Sequence, residues 1–268
     1  MTTAPGGRGE PELEEAFERL VSEGRDRLNR PLLPLLATGL LGGIDVGVGV
    51  LAYLVVDHET GQPLLGAVAF TIGFIALLLA RSELFTENFL VPVTATIAGH
   101  GSWRQLARLW LVTLAANLAG GLLMAGMIAT ALPDLRSTAA SLGRHYATLG
   151  VSWRSLLLAV LAGAVITLLT RMQHATDDLG PKIIAAVAMP FVLVAAQLFH
   201  SVLDSILMFT GLLGGHATYT WANWAVALAW SALGNVIGGV GLVTSIRLLR
   251  VPHRVAEERE GQSQDHRA

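Results

Sequence analysis

The chain has 268 residues, 53% of them hydrophobic and 14% charged, with a mean hydropathy of +0.56 and a formal net charge of −2. A soluble domain carries about 25% charged residues, so this composition excludes an ordinary water-soluble fold, and the near-neutral balance offers no footprint for a nucleic-acid partner. The absence of cysteine excludes disulfides, thiolate metal sites and cysteine catalysis together.

The opening MTTAPGGRGEPELEEAFERL has no basic segment leading into an apolar one, so no cleavable signal peptide is expected and the first membrane helix does the targeting. Leu13, Phe17, Leu20, Val21 and Leu28 recur at helical spacing between charges. They predict an amphipathic helix within residues 1–30, lying against the membrane or the bundle, or merely solvated. Residues 31–250 then carry six apolar segments, which predict an all-α membrane protein. They run from about Pro34 to Val56, Leu64 to Ala98, Leu106 to Leu132, Leu156 to Thr170, Ile183 to Leu213 and Trp224 to Leu249. The second and fifth are too long for one straight crossing, and RSELFTEN and LFHSVLDS interrupt them. A polar loop is expected over Pro133–Trp153, and a polar, disordered tail over residues 251–268. Arg25, Arg27, Arg30, Arg104, Arg108, Arg171, Lys182, Arg247, Arg250 and Arg254 fall on one side of six crossings, which places both termini in the cytoplasm.

The two overlong segments break at similar words, Leu84-Phe85-Thr86 and Leu198-Phe199-His200. The helix after each carries one pattern, Asn117-x-x-Gly120-Gly121 and Asn235-x-x-Gly238-Gly239. Two three-helix halves follow from this. Three crossings is an odd number, so the halves insert in opposite directions, and paired breaks in inverted halves point to a midplane solute site. Broken backbone at that depth is tolerated where protein or a hydrated cavity satisfies it. Gly42, Gly43 and Gly163 read as close-packing positions. Asn117 and Asn235 read as partners of the broken backbone or, less simply, of the solute.

An ionisable side chain at a helix centre costs about 2.5–3.5 kcal/mol for residues such as Asp or Arg. His200, at the second break, is either a proton donor or hydrogen-bond partner for a passing weak acid, or a buried neutral ring bonded to backbone. Thr86 offers a hydroxyl from the matching place in the first half, or serves as a helix cap. Asp45, Arg81, Glu83, Glu87 and Asp204 are further charges expected in ion pairs or as protonated carboxyls, with Arg81 pairing Asp45 or Glu87. Lys182, the only lysine, is either a vestibule ammonium or an ordinary positive-inside residue.

The words SELFTEN, NLAGGLL, PKII, LFHSVLDS and GNVIGGVGLV, spread over roughly Pro31 to Arg250, resemble the formate/nitrite transporter family. The resemblance implies a homopentameric, aquaporin-like channel or proton-coupled transporter for small monovalent anions in the bacterial inner membrane, with no cofactor or metal. It sets Thr86 on the loop threonine and His200 on the central pore histidine. Phe70 and Leu193 fall on the two apolar constrictions, with Phe85 and Phe199 beside the breaks. Glu83, Asn88 and Lys182 fall on a polar network. The chain departs from the family pattern at Asp204, where asparagine is typical, at Phe199, where glutamate is typical, and at Leu193, where phenylalanine is usual. Asp45 has no typical counterpart.

The functional expectation is a channel or transporter for a small weak-acid anion or its neutral acid, moving with protons among membrane lipid. A bare anion crossing two apolar collars meets a large desolvation penalty, which proton sharing at His200 would relieve. A channel for neutral solutes such as water, ammonia or hydrogen sulfide is the alternative, favoured by the extra carboxyls. A membrane-embedded enzyme is disfavoured, because neither HExxH spacing nor a GxSxG elbow is present.

Overall fold

The computed structural model describes residues 10–250 and 252–265, and every regular element among them is helical. The first nine residues, where a signal peptide was judged absent, lie outside the described residues. α1 (Glu10–Leu28) precedes α2 (Leu32–Thr60) and α3 (Pro63–Ala80). A 3-10 turn (Phe85–Phe89) and the short α4 (Val91–Ile97) lead to α5 (Trp103–Ala131), α6 (Arg136–Leu149) and α7 (Trp153–Gln173). α8 (Leu179–Ala195) and α9 (Ser201–Leu213) follow. α10 (Trp221–Val236) passes through a π-helical stretch, Ile237–Thr244, into α11 (Ser245–Leu248), and α12 is Pro252–Asp265.

α2, α3, α5, α7 and the continuous Trp221–Leu248 are long and apolar enough to cross a membrane, and α8 and α9 are shorter apolar helices. Their outer faces leave large side chains such as Leu33, Leu111 and Ile184 exposed. A stripe that apolar would be a liability in water and is the expected lipid-facing surface of a bundle. Inside, α2 packs on α3 and α5, α3 on α8, α5 on α9, and α7 on α8 and α10. Close approach requires glycine at two equivalent points. A Cβ on Gly43 would collide with the carbonyl oxygen of Asn117, and one on Gly163 with that of Asn235.

Both overlong segments are broken, and by the same device. α3 ends on Arg81 (φ 54) and α8 ends just before Gln197 (φ 49), both in the left-handed region. In each, the next amide closes back on the last turn: Ser82 N–H donates to Leu77 O at 3.1 Å, and Leu198 N–H to Leu193 O at 3.0 Å. This is the Schellman closure that glycine usually serves, built here on arginine and glutamine.

Several expectations are corrected. Pro133–Trp153 is not a plain loop but holds α6, which packs on α9 because Ala139, Ala140 and Gly143 give it a small-residue face. Residues 252–265 of the tail, expected to be disordered, form α12. α12 is held beside α1 by His100 Nε2–Glu258 Oε2 (2.7 Å), Arg254–Glu18 (3.7 Å) and packing of Val255 near Phe17 and Val21. α1 and α12 therefore share one end of the bundle. Of the alternatives for α1, the structure takes packing on the bundle: Phe17, Leu20, Val21 and Leu28 are buried against α4 and its surroundings. The π-helical stretch in the last crossing carried no sequence signal beyond its glycines. Thr244 there donates its hydroxyl to Phe89 O at 2.7 Å, tying it to the first break.

Candidate functional site

Each break is bracketed by one asparagine. Asn117 accepts from Phe85 N–H at 2.8 Å and donates to Glu83 O at 2.8 Å and Gly39 O at 2.7 Å. Asn235 accepts from Ser201 N–H at 3.0 Å and donates to Phe199 O and Ala159 O, both at 2.9 Å. Both amides are fully buried and satisfy backbone that no helix can satisfy. They also fix the correspondence between the breaks: Glu83 matches Phe199 and Phe85 matches Ser201. Leu84, not Thr86, therefore occupies the place equivalent to His200. The sequence words aligned two residues out of register because Leu-Phe recurs at both breaks.

Thr86 and His200 meet nonetheless. Thr86 Oγ1 lies 3.0 Å from His200 Nε2, and both residues are 0% exposed. Thr86 caps no helix, since the 3-10 turn begins after Leu84. His200 is the N-cap of α9, its Nδ1 accepting from Leu203 N–H at 3.2 Å. That contact decides the tautomer. A neutral ring with Nδ1 as acceptor carries its hydrogen on Nε2 and donates it to Thr86. The Thr86 hydroxyl hydrogen is then free for another acceptor. Asp204 completes the cap, Oδ2 accepting from His200 N–H at 2.7 Å, while Oδ1 is buried without a partner. Phe199, 1% exposed, stacks on Tyr146 of α6 with centroids 6.1 Å apart and planes at 13°. Sequence reasoning missed Tyr146, because nothing local marks a loop tyrosine as a neighbour of a helix break.

Phe70 and Leu193 are both fully buried in the central core, Phe70 on α3 against Phe74 and Gly49, Leu193 in the last turn of α8. Phe85 stands edge-on to Phe89, with centroids 4.9 Å apart.

A cavity of ≈620 Å³ opens at the terminal end, under α1. Glu83 and Lys182 both line it, with Arg27, Arg30 and Glu87. Glu83 is held by Arg30, with Arg27 Nε at 4.0 Å, and Arg27 Nη1 also donates to Asn88 Oδ1 at 3.1 Å. Arg27 and Arg30 were read only as orientation signals, yet they supply the counter-charges of Glu83. The expected pairing of Arg81 with Asp45 or Glu87 is absent: Arg81 forms no ion pair among the described residues. Asp45 Oδ2 is buried and unpartnered. On α1, burial pushes the Glu23 carboxyl up, but the His174 and Arg27 contacts outweigh it and bring it down to about 2. His174 reaches Glu23 Oε2 at 3.0 Å with Nε2 and Thr170 O at 2.7 Å with Nδ1. Among the described residues, no group of three or more His, Asp or Glu could hold a metal ion.

The family model for "Formate/nitrite transporter" matches residues 14–249. The chain belongs to the formate/nitrite transporter family. It is therefore a multi-pass membrane protein of a transporter family and not an enzyme. It is 28% identical to the uncharacterized transporter YrhG of Bacillus subtilis, covering 86% of this chain and 91% of that one. It is 24% identical to the formate channel BtFdhC of Bacillus thuringiensis, covering 86% and 92%. Among solved structures it is similar to an FNT family ion channel, with a TM-score of 0.72 at 22% identity over 86% of this chain and 94% of that one. A pentameric formate channel with formate bound gives 0.68 at 23% identity over 82% and 97%. These two likenesses establish the fold of this family member.

Proposed function

We propose that this formate/nitrite transporter family member conducts a small monovalent weak-acid anion of the formate or nitrite kind, in a proton-linked manner, across a bacterial inner membrane. The chain makes six crossings as two inverted three-helix halves, assembles as a homopentamer and keeps both termini in the cytoplasm. The relatives named formate channels and the pentameric neighbour support the solute class and the assembly. The observation that carries the reading is the 3.0 Å contact between Thr86 and His200, one residue from each break, at the buried centre of the bundle.

The chemistry follows from what the breaks leave unbonded. With Asn117 and Asn235 occupied by Phe85 and Ser201, and Thr86 Oγ1 accepting from His200 Nε2–H, the Thr86 hydroxyl hydrogen is left as the donor at that point, polarised by the ring behind it. α9 also begins there, so the positive end of its dipole faces the break. Such a site favours an acceptor-only oxyanion. The mixed cavity of Arg27, Arg30, Lys182, Glu83 and Glu87 is the vestibule from which the solute enters. Phe70 and Leu193 form the apolar collars, where a bare anion would be costly and a proton-sharing one cheaper.

The test is uptake of labelled formate and nitrite by proteoliposomes at several pH values. The reading expects saturable uptake that rises as external pH falls. Swelling with water or ammonia, without uptake of either anion, would replace it with the neutral-solute channel.

A further inference from the structure

The two breaks differ in one ionisable group. Asn117 and Asn235 set the register between them by donating to Glu83 O and Phe199 O. Five residues beyond those carbonyls stand Asn88 and Asp204, each just after its break. Asn88 is a neutral amide whose Oδ1 accepts from the Arg27 guanidinium at 3.1 Å. Asp204 is a carboxyl with no cation bonded to it. Its Oδ2 accepts from His200 N–H at 2.7 Å, its Oδ1 has no partner, and the residue is 2% exposed.

His200 cannot change its charge and keep its cap. Nδ1 accepts from Leu203 N–H and Nε2 faces Thr86 Oγ1, so a second ring proton would displace the Leu203 contact. Asp204 is under no such restraint, because a proton on Oδ1 disturbs no hydrogen bond. α5, α6, α10 and α2 pack on its helix. From α6 come Tyr146, within electrostatic reach, and His145, Arg136 and Arg144. From α2 come Asp45 and Tyr53, with Asp57, His58 and Glu59 at its end. α5 has arginines only in its first two turns, and α10 has no titratable side chain. Among the described residues, none of these groups bonds either carboxyl oxygen of Asp204.

We propose that Asp204 is the charge switch of the solute path: as the neutral acid it leaves the Thr86–His200 point open to a monovalent anion, and as the carboxylate it bars one. The switch rests on the weak-acid anion reading above. Ionisation breaks the carboxyl O–H bond and passes the proton to solvent water. Two effects then act together. A negative group in the first turn of α9 cancels the positive helix end at the break. It also repels an anion bound at Thr86: over about 10 Å, in an effective dielectric near 20, the penalty is roughly tenfold in occupancy. At the first break the equivalent position is an amide tied to arginine, so that half holds no matching switch.

The experiment is exchange of labelled formate at equal pH on both sides of the proteoliposome membrane, from acid to alkaline pH. It compares the wild-type chain with Asp204→Asn and Asp204→Thr. Both substitutions keep an oxygen for the His200 N–H, and neither side chain ionises. The ratio of variant to wild-type exchange cancels the protonation of formate itself. The switch expects that ratio to rise about tenfold from the acid to the alkaline end in both variants. A ratio that stays flat, or falls, in the variants that assemble overturns the switch and leaves the anion reading standing. Formate that crosses in no form of the chain at any pH sinks the anion reading and the switch with it.

Discussion

Thr86 and His200 are 114 positions apart in the chain and 3.0 Å apart in space, each fully enclosed at a helix break. The contact spans the two broken segments, so it forms only when both are correctly assembled. Thr86→Val removes the hydroxyl and preserves shape. It is expected to cut formate uptake at least tenfold while the oligomer still elutes as wild type. His200→Phe should do the same, and the double variant should be no worse than either single one, as for two residues acting on one solute. Additive losses would mean that the two do not share a site.

Asn117 and Asn235 each serve three buried backbone groups. Alanine at either position strands those groups, at about 1 kcal/mol or more apiece. A loss of about 3 kcal/mol is expected for each single variant, read as a lowered unfolding midpoint in detergent. Aspartate keeps the acceptor for Phe85 or Ser201 and loses both donors, so it should be no better than alanine.

Arg81 and Gln197 carry positive φ where glycine is the usual choice. A β-branched residue at Gln197 should cost more than 1 kcal/mol, and glycine should be close to neutral, since relief of strain is offset by greater freedom in the unfolded chain. Thermal melts of Gln197→Val and Gln197→Gly make the comparison. Equal effects would show that the backbone at this break carries no strain.

Docking of α1 should respond to acid. Burial alone would raise Glu23, but the His174 hydrogen bond and Arg27 hold its folded-state pKa down at about 2, from an ordinary value of 4.5. A depressed carboxyl contributes stability above its unfolded pKa, so this contribution is complete above about pH 5 and declines as pH falls from 4.5 towards 2. Amide exchange of α1 should quicken across that window, and Glu23→Gln should flatten the response. A window unmoved by Glu23→Gln would place the acid sensitivity elsewhere.

The positions that the sequence disclosed and those it hid differ in a physical way. Breaks in the second and fifth segments were legible because bilayer thickness caps a straight helix, and both segments exceed it. The partner role of Asn117 and Asn235 was open to inference because an amide among apolar neighbours must bond something. Thr86 was given the wrong equivalence, since a repeated Leu-Phe outweighed a backbone register that only hydrogen bonds define. Arg27 and Arg30 were read for the side of the membrane they mark, and their reach into Glu83 depends on how α1 folds back over α4. Tyr146 was invisible for a similar reason: its neighbour Phe199 comes from a helix break more than fifty positions away.

The sequence by itself determined the solvent of this protein, the number of apolar segments and the two places where helix must fail. Hydropathy and length are summed along the chain, so they need no knowledge of neighbours. Only the tertiary structure decided the tautomer of His200, the register between the two breaks and the partners of the buried charges. Each of those depends on which atoms meet across segments distant in the chain, and a linear pattern carries no distance between them.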